Sequence, residues 1–136
     1  MSERLTQTQR SRLMAAVRSR DTRPEIAVRR LVNALGYRFR LHRRDLPGTP
    51  DVVLPRLRKI INVNGCFWHM HTCRHGSTAP VNNAEFWNAK RTRNAARDRR
   101  TMRQLRSAGW SVLVIWECQM RDREKLARRL ATFLSK

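Results

Sequence analysis

The chain has 136 residues, of which 40% are hydrophobic, a length and composition that fit one folded domain and exclude a disordered tail. Thirty lysines and arginines against ten acidic residues give a net charge of +20, so the expected partner is a polyanion. The sequence has no apolar run near the roughly 20 residues that span a bilayer and no signal-peptide core, which predicts a protein of the reducing cytoplasm without a membrane partner.

The N-terminal half predicts two helices followed by three short strands. A basic stretch over residues 6–20 carries apolar residues at near-helical spacing. A second helix starts at the N-cap Thr22, has Pro24 in its first turn and Glu25 to complete a capping box, and ends at Gly36. The three strands are predicted at residues 37–41, 52–54 and 60–63.

The C-terminal half predicts a long helix over residues 84–108, a strand over 110–116 and a last helix over 123–134. The strand holds four consecutive aliphatic residues, a run typical of a central strand. Leu126, Leu130 and Phe133 share one face of the last helix. The order of elements predicts an α/β fold in which helices flank a mixed central β-sheet.

A loop rich in cysteine and histidine follows the third strand. Three ligands at a spacing that suits a tetrahedral zinc ion are Cys66, His71 and Cys73. The fourth ligand is open: Cys118 is favoured because it directly follows a buried strand, and His69 and His75 compete with it. Because a reducing compartment disfavours disulfides, these cysteines indicate one structural zinc site, the alternative being unliganded thiols in a loop.

An acidic residue, Asp51, ends a Pro-Gly-Thr-Pro turn and precedes three aliphatic residues. A carboxylate at the mouth of a sheet can hold Mg²⁺ against a phosphodiester. Pro-Asp pairs also occur as plain turns, and the spacing alone does not choose between the two interpretations. His69 is open in the same way between proton transfer through water and a place at the zinc site.

The long helix begins with Phe86 and Trp87 and then carries eight lysines and arginines, which predicts contact with phosphates. Phe67 and Trp68 are adjacent in the Cys/His loop and are hard to bury together, so they suit insertion between base steps. Met14 on the basic N-terminal helix can act in the same way or fill the core.

Five stretches together resemble the very short patch repair endonucleases. They are residues 47–51, 65–69, 85–87, 97–100 and 109–118, in the order that the family shows. The resemblance implies a fold like that of type II restriction endonucleases and Mg²⁺-dependent nicking of double-stranded DNA. The nick lies 5′ of the thymine in a T:G mismatch, which arises when 5-methylcytosine deaminates.

The same resemblance implies one endonuclease domain over residues 1–136, in which residues 1–20 form a DNA-contacting helix and residues 21–136 the nuclease core. Because the sequence shows no exposed heptad or apolar stripe, a monomer is expected; the expected location is the bacterial nucleoid, with other mismatch-repair proteins as candidate partners. Two cofactors are implied, a pair of Mg²⁺ ions for catalysis and one structural Zn²⁺.

Roles for individual residues also come from the resemblance. Asp51 and the backbone carbonyl of Val63 would hold Mg²⁺, His69 would act through water, and Glu25 would orient that water. The implied zinc ligands are Cys66, His71, Cys73 and Cys118. The residues implied to contact DNA are Met14, Phe67, Trp68, Trp87, Lys90, Asn94 and Asp98.

Asn64 departs from the family pattern, which can carry histidine at this position beside the metal. Asparagine orients a water or a phosphate but transfers no proton at neutral pH. The strand around Asn64 also lacks the second acid and the lysine usual in restriction enzymes. Asn64 therefore keeps open a zinc-stabilised mismatch-DNA-binding protein with weak or no cleavage. A restriction-like endonuclease that cuts both strands is a further alternative.

Overall fold

Three α-helices and four β-strands form a mixed α/β fold in the computed structural model, which describes residues 22–66, 69, 73 and 84–136. In chain order the elements are α1 (Arg23–Ala34), β1 (Arg40–Leu41), β2 (Val52–Leu54), β3 (Lys59–Asn64), α2 (Ala84–Ser107), β4 (Ser111–Trp116), a 3₁₀ turn (Glu117–Arg121) and α3 (Arg123–Leu134). None of these helices is long and apolar enough to cross a membrane. The helix predicted over residues 6–20 lies outside the described residues, as does nearly all of the loop before α2.

The four strands form one mixed sheet in the order β1-β2-β3-β4, which confirms the predicted sheet. β1, β2 and β3 pair antiparallel, whereas β3 and β4 pair parallel, with Asn64 opposite Trp116. Parallel strands end at the same edge of a sheet. The residues that follow β3 and β4, which include Cys66 and Cys118, therefore start from neighbouring points.

Helices cover both faces of this sheet. On one face, apolar residues of α1 and α3, such as Val28 and Leu130, are buried with Ile61 and Ile115. On the other face, Leu105 of α2 is buried in a cluster with three residues of the sheet side, which are Val53, Ile60 and Trp110. Adjacent residues of one strand enter different clusters, because side chains alternate between the faces of a sheet.

Among the strands of the described residues, β4 lies at the edge of the sheet and β3 occupies an interior position, so the prediction that residues 110–116 form a central strand is wrong there. Its apolar run has another cause. Leu113 and Ile115 pack in the cluster of α1 and α3, while Val112 packs in the cluster of α2. An edge strand covered on both faces by helices needs apolar side chains on both faces.

The first strand is shorter than the alternating pattern over residues 37–41 predicts. Only Arg40 and Leu41 pair with β2, whose three residues limit the ladder. Tyr37 and Phe39 still pack against the core cluster of α1 and α3, but from irregular backbone. The alternation therefore predicted the packing of Tyr37 and Phe39, but it predicted neither the exposure of Leu41 nor the length of the hydrogen-bonded strand.

The helix ends agree with the sequence. Thr22 is the N-cap of α1, where its hydroxyl accepts a hydrogen bond from the Glu25 backbone N–H at 3.4 Å. Asp122 caps α3 by accepting from the Lys125 backbone N–H at 3.0 Å. At the other end of α3, the buried Lys59 ammonium donates to the Phe133 carbonyl at 2.6 Å, where the helix dipole favours a cation.

Candidate functional site

A cavity of about 810 Å³ opens at the C-terminal end of β3. Four of the ten acidic residues of the chain line it: Glu25, Asp51, Asp98 and Glu117. Four carboxylates around one cavity repel each other, and in a chain of net charge +20 their concentration is unusual. This arrangement suits a bound cation, whose charge offsets that repulsion.

Asp51 lines this cavity and is held by the strand beside it. The Val63 backbone N–H donates to Asp51 Oδ2 at 2.8 Å, and the Asp51 backbone N–H donates to the Asn62 side-chain oxygen at 3.2 Å. Burial raises the pKa of the Asp51 carboxyl to about 6, the Val63 N–H opposes that rise, and the nearby Glu25 adds to it. Asp51 is therefore a mostly ionised carboxylate at neutral pH that a cation would stabilise.

The turn that delivers Asp51 presses against α2. Gly48 has a φ of +75°, a left-handed conformation that favours glycine. A Cβ atom at Gly48 would lie 2.4 Å from Cγ2 of Thr101. Thr101 follows Asp98 by about one helical turn on α2, so this close approach sets the distance between the turn of Asp51 and the helix of Asp98.

We expect Gly48→Ala to lower the free energy of unfolding by about 2 kcal/mol, through left-handed strain and a steric clash. Chemical denaturation measures this loss. In a Thr101→Ala background the clash partner is gone, so about half of the loss should return. Equal losses in the two backgrounds would contradict a direct contact between the turn and α2.

His69 lies in the same cavity and is fixed by two neighbours. Its ring nitrogen Nδ1 is hydrogen-bonded to the Asp98 carboxylate, and the Trp116 ring meets it edge-on with centroids 6.4 Å apart. A carboxylate at Nδ1 leaves Nε2 as the acceptor nitrogen of the neutral ring. This is the arrangement of a histidine that takes a proton from water while a carboxylate stabilises the resulting imidazolium.

The structure thus gives Asp98 a partner that the sequence did not indicate. The resemblance assigned Asp98 to DNA contact, whereas its carboxylate lies against His69 from 29 residues away along the chain. No local pattern predicts a pairing of this span. Asp98 is about one-third exposed, so pairing with His69 and proximity to DNA are compatible.

Sequence reasoning also missed a second set of contacts, which the side chains around Glu25 form. Arg29, four residues later on α1, donates to the Glu25 carboxylate at 3.2 Å and lies 3.0 Å from Nε2 of His42. The other ring nitrogen of His42 lies 3.9 Å from Asp51 Oδ1. The spacing of Glu25 and Arg29 on one helix is a signal that sequence offers; the position of His42 is not.

The three cysteines come together, as predicted, at the sheet edge where β3 and β4 end. The sulfur atoms of Cys66, Cys73 and Cys118 lie within 4.8 Å of one another. The Cys118 backbone N–H donates to the Cys66 sulfur at 3.4 Å, and burial raises the pKa of the Cys66 thiol to about 12. Three converging sulfur atoms can hold a metal ion; His71 and His75 lie outside the described residues, and His69 points to the acidic cavity through Asp98.

A basic surface on α2 adjoins the acidic cavity. Another cavity, of about 600 Å³, runs along this helix and is lined largely by arginines, which include Arg93, Arg97, Arg100 and Arg103. Arg97 lines both cavities. A polyanion lying on α2 would therefore pass directly over the carboxylates and His69.

The predicted DNA-contacting residues have different environments. Trp87 and Asn94 are buried, at 5% and 4% exposure, and the Lys90 ammonium lies over the Trp87 ring at 5.7 Å. Phe86, which no prediction singled out for DNA contact, is 55% exposed beside Trp87. Met14, Phe67 and Trp68 lie outside the described residues.

Comparisons with known proteins agree with these features. Residues 2–75 match the family model described as DNA mismatch endonuclease Vsr. The chain is 48% identical over 134 residues to the type II nicking enzyme V.XorIIP of Xanthomonas oryzae pv. oryzae, covering 98% of both chains. It is 42% identical over 123 residues to the DNA mismatch endonuclease Vsr of Escherichia coli K12, covering 90% of this chain and 78% of that one. It is 34% identical over 130 residues to the type II nicking enzyme V.NmeAIP of Neisseria meningitidis, covering 96% and 92%.

Proposed function

The chain belongs to the Vsr family of DNA mismatch endonucleases, and we propose that it nicks one strand of duplex DNA 5′ of the thymine in a T:G mismatch. It is a DNA endonuclease by family, and the finer specificity is the proposal. The observation that supports it most is one cavity that holds Asp51 beside the His69–Asp98 pair, next to the basic surface of α2. We extend the proposal to a fold like that of type II restriction endonucleases and to one domain over residues 1–136, with residues 1–20 contacting DNA.

The residues of the cavity fit a hard divalent cation, because carboxylate oxygens are the donors that Mg²⁺ prefers. We assign Asp51 and the Val63 carbonyl to hold it, in line with the resemblance. When bound, Mg²⁺ supplies positive charge at the phosphodiester and makes bound water more acidic.

The cysteine cluster fits zinc, with His71 as the fourth ligand, since thiolates and imidazole are the donors of structural zinc sites.

In this proposal, the other residues of the cavity and of α2 each have a separate role. The Val63 N–H fixes the orientation of the Asp51 carboxylate. His69 accepts a proton from the attacking water at Nε2, and Asp98 at Nδ1 stabilises the charged ring. Glu25, anchored by Arg29, orients water on the other side of Asp51, and Asn64 orients the phosphate. Arginines of α2 bind the DNA backbone.

Recognition of the mismatch rests on stacking rather than charge in this proposal. Phe67, Trp68 and Met14 enter the base stack where a weak T:G pair is cheapest to distort. Lys90 and Asn94 line the basic cavity along α2 and Asp98 lines the acidic one, and we assign all three to DNA contact; Trp87 and Asn94 act from buried positions. The chain acts as a monomer, with mismatch-repair proteins as further candidate partners.

Trp68→Ala should reduce the preference for mismatched over matched duplex by about tenfold, because stacking on a base contributes roughly 1–3 kcal/mol. Binding to matched DNA should change less than threefold, since arginines supply that affinity. Competition binding with T:G and T:A duplexes measures both. Phe86→Ala, which removes an exposed aromatic outside the proposed wedge, is the control and should leave the preference intact.

Asn64→His should raise the nicking rate by roughly tenfold, because histidine can transfer a proton where asparagine only orients groups. Asn64 lines the cavity at the end of β3, so the new ring would face the same phosphate. Single-turnover nicking at saturating Mg²⁺ measures the change. An unchanged rate would show that Asn64 does not limit catalysis.

A second candidate function, mismatch binding without cleavage, is favoured by Asn64 alone. Two of its relatives are named as nicking enzymes, which supports single-strand cleavage over both alternatives. The decisive experiment uses a labelled duplex with one T:G mismatch, Mg²⁺, a T:A control and Asp51→Ala protein. A nick 5′ of the thymine, lost in the variant, supports the proposal; binding without a nick supports the second candidate, and a double-strand break in matched DNA supports a restriction-like enzyme.

A further inference from the structure

His42 lies beside Asp51 and has an unusual backbone conformation. It follows β1 directly and has a φ of +47°, in the left-handed region that few residues other than glycine adopt. Its backbone N–H donates to the Asp51 carbonyl at 3.3 Å. The backbone of Asp51 is therefore held by His42, and the ring of His42 is projected from the same point.

The donor and acceptor roles of the His42 ring follow from Arg29. A guanidinium group carries only donors, so Nε2 of His42, 3.0 Å from Arg29 NH2, must be the acceptor in this contact. A neutral imidazole with an accepting Nε2 carries its proton on Nδ1. Nδ1 is the nitrogen that faces Asp51 Oδ1, at 3.9 Å.

A different group therefore faces each of the two oxygen atoms of the Asp51 carboxylate. The Val63 N–H donates to Oδ2 at 2.8 Å, and Nδ1 of His42 lies 3.9 Å from Oδ1, longer than a hydrogen bond by a distance that a small side-chain shift closes. Arg29 joins this ring to Glu25. Groups that hydrogen-bond a metal-binding carboxylate fix its orientation and commonly change metal affinity by about 10- to 100-fold.

We propose that His42 is a positioning residue, which presents Nδ1–H to Asp51 and so orients this carboxylate for the divalent cation. The inference rests on the proposed function, in which Asp51 holds that cation. It adds a residue outside the motifs that carried the family resemblance. It also gives Arg29 a role, which is to select the ring tautomer.

Three substitutions at His42 separate the two halves of the ring. His42→Ala removes both nitrogens. In His42→Asn the side-chain nitrogen can occupy the position of Nδ1, and asparagine tolerates the left-handed backbone, but the acceptor for Arg29 is lost. In His42→Gln an oxygen can occupy the position of Nε2 and accept from Arg29, but the donor to Asp51 is lost.

Binding of Mn²⁺ to the zinc-loaded full chain, measured by electron paramagnetic resonance, is the first readout, with Asp51→Asn as the zero reference. We expect His42→Ala and His42→Gln to weaken Mn²⁺ binding by about tenfold or more and His42→Asn by less than about threefold. The metal concentration that gives half-maximal nicking should shift in parallel, while DNA affinity without divalent metal stays unchanged. Unchanged Mn²⁺ binding in His42→Ala, or a Gln variant that binds like the parent while the Asn variant does not, would overturn the inference.

The tautomer supplies a readout that does not depend on metal or activity. In ¹⁵N-histidine NMR spectra of the metal-free parent, the signals lost in His42→Asn should be those of an Nδ1–H tautomer, and an Nε2–H tautomer would overturn the inference. A different result would contradict the proposed function alone. A parent that binds Mn²⁺ at Asp51 but nicks no mismatched DNA contradicts the proposed function and leaves the role of His42 in metal binding to stand on the Mn²⁺ result.

Discussion

Replacing Asp51 with asparagine should lower the rate of nicking by at least about a thousandfold, because a lost cation site removes several kcal/mol of transition-state stabilisation. Asparagine keeps the shape of aspartate and can still accept the hydrogen bond from the Val63 N–H. Binding to the mismatched duplex should change less than threefold. Single-turnover nicking and a binding titration on the same duplex measure both quantities.

The stability of the Asp51→Asn variant provides the control for folding. Because burial raises the pKa of Asp51 from its ordinary 3.8 to about 6, this carboxyl contributes stability below about pH 4 that is lost as the pH rises through 6. Without added divalent metal, the variant should therefore be more stable than the parent at pH 8, by up to about 3 kcal/mol, and the difference should vanish near pH 4. A variant that is inactive and less stable at pH 8 would instead point to a damaged fold.

Replacing Cys118 with serine should lower the melting temperature by at least about 10 °C, since a structural metal contributes several kcal/mol to folding. The three thiols join the residues after β3 to those after β4. His69 lies between Cys66 and Cys73 in the chain, so loss of the metal would also release His69. We expect the zinc content to fall from one ion per chain to none and nicking to fall with it.

The parent protein supplies the matched control for this prediction. Removal of its metal by a chelator should reproduce the lower melting temperature, and returning Zn²⁺ should restore the parent but leave Cys118→Ser unchanged. Because all three cysteines of the chain belong to the cluster, a thiol reagent should find none reactive before metal removal and three after it. A variant that keeps one zinc ion and its melting temperature would exclude Cys118 from the site.

Sequence predicted the parts of this fold that local patterns determine. The helix α1 begins at its predicted N-cap Thr22, and the amphipathic spacing of α3 marks its buried face. The convergence of the cysteines was also predictable, because Cys118 directly follows an apolar strand. The strand order was not predictable, because β4 carries an apolar run at the sheet edge where helices cover both of its faces.

The site shows the same division between local and distant determinants. The turn of Asp51 and the loop of His69 mark both residues as candidates, and the family resemblance gives them their roles. The sequence does not predict their contacts with His42 and Asp98, because each pairing depends on the distance between elements far apart in sequence. Gly48 also carried no signal beyond its turn, although its contact with Thr101 sets how closely the turn approaches α2.

The parallel pairing of β3 and β4 has a consequence for protein engineering. Asn64, at one strand end, leads into the loop of His69 and the first cysteine, while Trp116, opposite it, packs on His69 and leads to Cys118. The acidic cavity and the cysteine cluster thus both lie at the C-terminal ends of β3 and β4, so they cannot be separated into two independent modules. Transplanting either into another scaffold would require moving both strands with α2 between them, which is residues 59–118. The cavity would also need Asp51 and Glu25, which precede this segment in the chain.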